Sequence, residues 1–169
     1  MFVPFESLPP QARVWVYQAD RKFTTAEKAA INEHLKKFTE SWAAHGHQLK
    51  SSYEIRFDQF VILAADESYN AASGCSIDDS VRVIKDITTF TGLDFFNRNL
   101  VAFKSSENIL LIPISALKEK LAENIWNGSM HTFNNLVNTK ADLDHRWLVT
   151  AGNSWLKRYL PQTVGAPRA

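Results

Sequence analysis

A chain of 169 residues is the length of one ordinary domain, and 45% hydrophobic with 22% charged residues is the composition of a globular fold that needs no disulfide or structural metal. Its net charge of +1 supplies no basic field, so neither nucleic acid nor an anionic membrane is expected as a partner. The single cysteine, Cys75, excludes an internal disulfide and any Cys-x-x-Cys metal knuckle, and a lone thiol suits a reducing, cytoplasmic setting.

Residues 1–12 read as an extended arm punctuated by Pro4, Pro9 and Pro10. The opening lacks the basic start and apolar core of a signal peptide. Arg13 to Ala19 is β-branched and aromatic and reads as a first strand. A helix follows: Thr24 and Glu27 have the spacing of a capping box, and Ile31, Leu35, Phe38 and Trp42 form one apolar stripe. Gly46 is the expected left-handed stop of that helix.

Tyr53 to Asp58 alternates apolar and charged, as a strand with one buried face does. Phe60 to Ala65 is a continuous apolar run, which predicts a central strand. It is the longest such run and falls far short of the roughly twenty residues of a membrane span. Asp58-Gln59 would join these two strands in a tight hairpin, with one long bent strand as the alternative. After a polar loop, Ser76 is placed to cap a second helix with Asp79 as its capping-box acid; Ile77, Val81, Ile84 and Ile87 face inward, and Gly92 closes it.

Asn99 to Lys104 and Ile109 to Ile114 form an expected hairpin, and Ser115 caps a third helix burying Leu117, Leu121 and Ile125. Thr132 to Val137 and His145 to Thr150 suggest a last hairpin. A short terminal helix capped by Asn153 or Ser154 then carries Trp155, Leu156 and Tyr159. The expected fold is thus α+β, a single domain over 1–162 with a flexible tail at 163–169. Its sheet is mostly antiparallel or mixed, with helices packed on it. The first six elements match a ferredoxin-like split βαβ core with a C-terminal extension, an order that other mixed sheets share.

Three stretches carry a resemblance. They are Val3-Pro4-Phe5-Glu6 with Ala12 to Arg21, Ala72-Ser73-Gly74-Cys75-Ser76-Ile77-Asp78-Asp79-Ser80-Val81, and Ser154-Trp155-Leu156-Lys157-Arg158-Tyr159-Leu160. Together they resemble a family of short uncharacterised bacterial proteins that commonly bear the label "ABC transporter ATPase". The label implies nucleotide hydrolysis, which these residues do not support. A phosphate-binding loop needs Gly-x4-Gly-Lys-Ser/Thr, and none of the six glycines here is followed by Lys.

The candidate sites are few. Ser73-Gly74-Cys75-Ser76, at a helix start, offers unpaired amides for a phosphate or carboxylate, or a Cys75 thiolate as nucleophile or redox sensor. The competing reading is a plain helix cap beside a small packed thiol. Among His34, His45, His47, His131 and His145, none has a spacing that pairs it with Cys75 as a base, and His45-Gly46-His47 lacks a third metal ligand. Asp20, Asp66 and Glu67 at strand ends could hold a divalent ion or simply make turns. Arg13, Arg21, Arg56 and Arg82 could complement an anion or pair with acids. Trp126, Trp147, Trp155 and Tyr159 fill a secondary core, or Trp126, Trp155 and Tyr159 mark a contact surface. No cofactor is expected. Two functions remain: a non-enzymatic interaction module for a protein partner or a second copy of itself, and a small-anion-binding or thiol-dependent enzyme centred on Ser73 to Ser76.

Overall fold

Two antiparallel sheets laid face to face carry the fold. The structure, a computed structural model, describes residues 1–68 and 71–162; the tail expected at 163–169 lies outside the described residues. The first sheet has the order β1 (Arg13–Gln18), β5 (Phe60–Asp66), β4 (Lys50–Arg56). The second has the order β7 (Asn108–Pro113), β6 (Leu100–Ser105), β8 (His131–Phe133), β9 (Leu148–Thr150). The chain is a single α+β domain.

Period-2 alternation explains the layering. On β5, Val61, Leu63 and Ala65 face α1 (Thr25–Ser41) and α2 (Gly74–Thr91), while Phe60, Ile62 and Ala64 face the second sheet. Every residue of β5 is buried, as a strand covered on both faces must be. Across the second sheet, Ala102, Ile109 and Leu111 meet the first sheet. Val101, Phe103 and Ile112 turn to a C-terminal layer built from α3 (Leu117–Ala122), Trp126 and Leu156.

The expected ferredoxin-like plan is half realised. Its first three strands take the required order, β1-β5-β4, but the fourth, β6, pairs with β7 and β8 in the other sheet. The place beside β1 is taken in part by a loop: Val14 donates its amide to the Asn138 carbonyl at 3.0 Å, and Arg13 bridges Thr139.

Local signals explain most boundaries. Thr24 Oγ1 accepts from the Glu27 amide at 3.1 Å, and the Glu27 carboxylate accepts from the Thr24 amide at 2.8 Å, completing the capping box of α1. The β4–β5 hairpin is tight, as read from sequence, but its turn is Phe57-Asp58, with φ of 54° and 50°. Gly46 does not stop α1. It lies with His45 in the two-residue turn joining β2 (Ala43–Ala44) to β3 (His47–Gln48), both at positive φ. The arm is only partly extended: Phe5–Ser7 is a 3-10 turn, and Val3 donates its amide to Ser51 on β4.

Several expectations are corrected. The cap of α2 is Ser73 rather than Ser76, its core face is Ser76, Ser80, Val83, Ile84 and Ile87, and Asp79 pairs with Arg82 at 3.1 Å instead of capping. Ile77 and Val81 are therefore only half-buried. Ser115 caps nothing: a 3-10 turn, Ile114–Ala116, leads into α3, and Ile125 beyond it is exposed. The last hairpin is shorter than read, because α4 (Lys140–Arg146) separates β8 from β9. The terminal helix is a 3-10 turn, Trp155–Tyr159, capped by Ser154.

Candidate functional site

The start of α2 is where sequence placed the chemistry. Ser73 Oγ accepts from the Ser76 amide at 3.2 Å, so one first-turn donor is already satisfied. Ser76 is fully buried; its hydroxyl donates to the Ser73 carbonyl at 2.9 Å, and its own carbonyl accepts from the Trp42 indole at 2.9 Å. Ser76 is therefore a packing residue that locks α2 onto the end of α1. Gly74 has no positive φ, and a Cβ there would meet nothing within 4 Å. Its lack of a side chain is thus not used for a close approach. Cys75 is exposed on the first turn.

The groups expected to assist are not gathered there. Among the described residues no hydrogen bond joins Cys75 to a histidine. His34 lies 4.0 Å from Asp86 and edge-on to Phe90, while His45, His47, His131 and His145 are exposed on a turn, on β3, on β8 and at the end of α4 respectively. Each arginine considered as an anion partner has a carboxylate of its own: Arg13 with Glu67, Arg21 with Glu27, Arg56 with Glu54, Arg82 with Asp79. The antiparallel pairing of β1 with β5 puts Asp20 at one end of the sheet and Asp66 and Glu67 at the other. Asp20 accepts from the Asp94 amide at 2.9 Å. Asp66 accepts from the Ser68 hydroxyl at 2.6 Å, which holds its carboxyl below the usual range. Asp66 and Glu67 hold their own loop and Asp20 ties β1 to the loop at Asp94, and among the described residues no three potential ligands converge on one point.

A groove of about 400 Å³ between α1 and α2 had no sequence signal, because it forms only when the two helices pack. Phe38 and Val83 form its floor, and Lys37, Asp79, Arg82 and Asp86 its rim. The rim charges already have partners: Arg82 pairs with Asp79 across one turn of α2, and Lys37 pairs with Glu33 on α1 at 2.7 Å.

The C-terminal aromatic set is divided by the fold. Trp126 is fully buried, stacks on Phe103 with 5.2 Å between ring centroids, and donates its indole N–H to the Leu117 carbonyl at 2.8 Å. It belongs to the core and leaves the candidate contact surface. Trp147 is likewise buried and donates to Asn135 Oδ1 at 2.9 Å. Tyr159 is half-buried and bridges inside to outside, edge-on to both Trp126 and Trp155. Trp155 alone of the set stands outside, 45% exposed, with the Arg158 guanidinium over its ring at 5.2 Å.

No family model, curated protein or solved structure matches the chain. No described helix is long and apolar enough to cross a membrane.

Proposed function

We propose that this protein is a non-enzymatic interaction module whose contact surface is centred on Trp155. The observation that carries the reading is the position of that side chain. Of the five tryptophans, Trp42, Trp126 and Trp147 are buried, Trp15 is half-buried, and Trp155 is held outside on an ordered, Ser154-capped turn. Arg158 over one face and Tyr159 at its edge limit its rotamers, so less entropy is lost when a partner covers it. Trp, Tyr and Arg are the side chains in which binding energy concentrates. The test is selection from a displayed random peptide library on the wild-type protein, with each selected peptide re-measured on Trp155→Ala. Peptides that bind the wild type and lose at least about tenfold on the variant support the reading; selected peptides indifferent to Trp155 refute it.

A second reading, a thiol- or anion-dependent activity at Ser73 to Ser76, is favoured by one observation: Cys75 is exposed at a helix start. Its measure is the rate of Cys75 alkylation by iodoacetamide at pH 7 against that of glutathione. A rate about tenfold faster or more favours a reactive thiol, and an equal rate removes it.

A further inference from the structure

We infer that the outer edge of β7 pairs with the same edge of a second copy of this chain, joining two second sheets across a two-fold axis. The inference rests on the interaction-module reading only in that both ask for a partner; it uses a different surface.

The phase of the edge can be read from two hydrogen bonds. Ile114 donates its amide to the Asn99 carbonyl at 2.8 Å, so residues 99 and 114 form a bonded antiparallel pair. Register is unbroken from Leu100↔Pro113 to Ser105↔Asn108. By alternation Asn108, Leu110 and Ile112 turn their backbone groups to β6, and Ile109, Leu111 and Pro113 turn theirs outward. The phase has an independent check. Ala102, opposite Leu111, must aim its carbonyl away from β7, and that carbonyl accepts from Thr132 Oγ1 of β8 at 2.8 Å.

β7 is the outermost strand of its sheet, and among the described residues no backbone hydrogen bond outside the β6 ladder reaches Ile109 or Leu111. The other edges are protected in ways that β7 is not. β4 has Val3 on Ser51 and carries Lys50, Glu54 and Arg56; β1 has Asn138 and Thr139; β9 is only three residues long. Charges, covering segments and short strands are the devices that keep edges from pairing. β7, Asn-Ile-Leu-Leu-Ile-Pro, has no charge, and its one such device is Pro113 at the end.

The occupant follows from symmetry. A two-fold axis normal to the sheet sets identical strands antiparallel, keeps both sheet faces in register, and makes each contact twice. With no charged residue in the strand, no like charges meet across the axis. An axis through Leu111 would press the Pro113 ring against the partner's Ile109 carbonyl. An axis through Ile109 would set Leu111 against Glu107, which lies in the hairpin turn outside β7, so the axis falls on Leu110, where Ile109 of each copy both donates to and accepts from Leu111 of the other.

The experiment is hydrogen exchange of the wild-type protein at low and high concentration, with sedimentation at the same concentrations. The expected result is a dimer in which the Ile109 and Leu111 amides slow as concentration rises, while Leu110 and Ile112 are slow throughout. Leu111→Pro, a substitution an edge strand tolerates where its N–H faces outward, should weaken association by roughly a hundredfold; Trp155→Ala should leave it intact. Four results overturn the inference: a monomer up to about 1 mM, which is weaker than specific interfaces are; a dimer whose Ile109 and Leu111 amides stay fast; the same amides slow at every concentration, which means that residues of the same chain cover the edge; or association lost with Trp155→Ala. Peptide binding through Trp155 is read separately, so either proposal can fail without the other.

Discussion

Replacing Trp42 by Phe tests whether the start of α2 is a structural joint. Trp42 is buried at the end of α1, between Trp15 and Phe38, and its indole N–H donates to the Ser76 carbonyl at 2.9 Å. Phe keeps an aromatic ring in place and removes that donor, at a net cost of about 1 kcal/mol. The smaller ring also gives up roughly 50 Å² of buried apolar surface, about 1.3 kcal/mol at 25 cal/mol per Å². The sum is about 2 kcal/mol, or a fall in Tm of roughly 5–8 °C for a chain of this size. Thermal and urea unfolding followed by circular dichroism would measure it, with an unchanged urea m-value confirming the same two states. A Tm within about 1 °C of wild type would refute the reasoning. The indole bond would then contribute nothing, and Ser76 would lose its assigned role as the anchor of α2.

Other expectations follow from the same geometry. Trp155→Ala should cost less than about 1 kcal/mol, because the ring is half outside, whereas Leu156→Ala beside it, fully buried, should cost about 2–5 kcal/mol; equal losses would place Trp155 in the core. Phe57 holds φ at 54°, so Phe57→Gly should be more stable than Phe57→Ala by about 1 kcal/mol by urea unfolding; the opposite order would mean that the turn relaxes. The Glu27 carboxyl is pulled to about 2, first by the Arg21 guanidinium and then by the Thr24 amide. Its folded value lies below its unfolded one, so its stabilisation is complete above about pH 4.5 and is lost as pH falls toward 2. Glu27→Gln should flatten the acid limb of the stability profile over that window, and an unchanged limb would show that the pair does not hold in solution.

What could be read in the sequence was local. The Thr24–Glu27 box, the unbroken apolar run of β5 and the Asn99–Ile114 hairpin each reside in a few adjacent residues, and each forms as expected. The ferredoxin-like reading failed at β6 because local pattern does not say which strand a strand will join. The runs of β6 and β7 were read only as a hairpin; that their apolar residues divide between two layers becomes visible once the second sheet is placed between the first sheet and the C-terminal layer. The cap of α2 was misplaced by three residues. Ser73 and Ser76 are both competent caps and only Ser76 has an acid three residues on, yet the tertiary contact with Trp42 draws Ser76 inside the helix. α4 was missed, although Thr139 Oγ1 accepts from the Asp142 amide and Lys140–Asp144 and Asp142–Arg146 stand four apart. Its apolar stripe, essentially Leu143 with Trp147 just beyond, is too short to mark a helix by period alone. The aromatic set shows the same limit. Trp126 and Trp155 sit in similar surroundings in sequence, and only packing on Phe103 takes one inside and leaves the other out.

The most direct test of the central claim is whether binding by this protein depends on Trp155. Peptides selected on the wild-type protein would be titrated against wild type and Trp155→Ala, with Tm measured for both. The account predicts affinity lost by at least about tenfold with Tm nearly unchanged. Peptides that bind both proteins equally, or a variant that loses binding only because it unfolds, would contradict it.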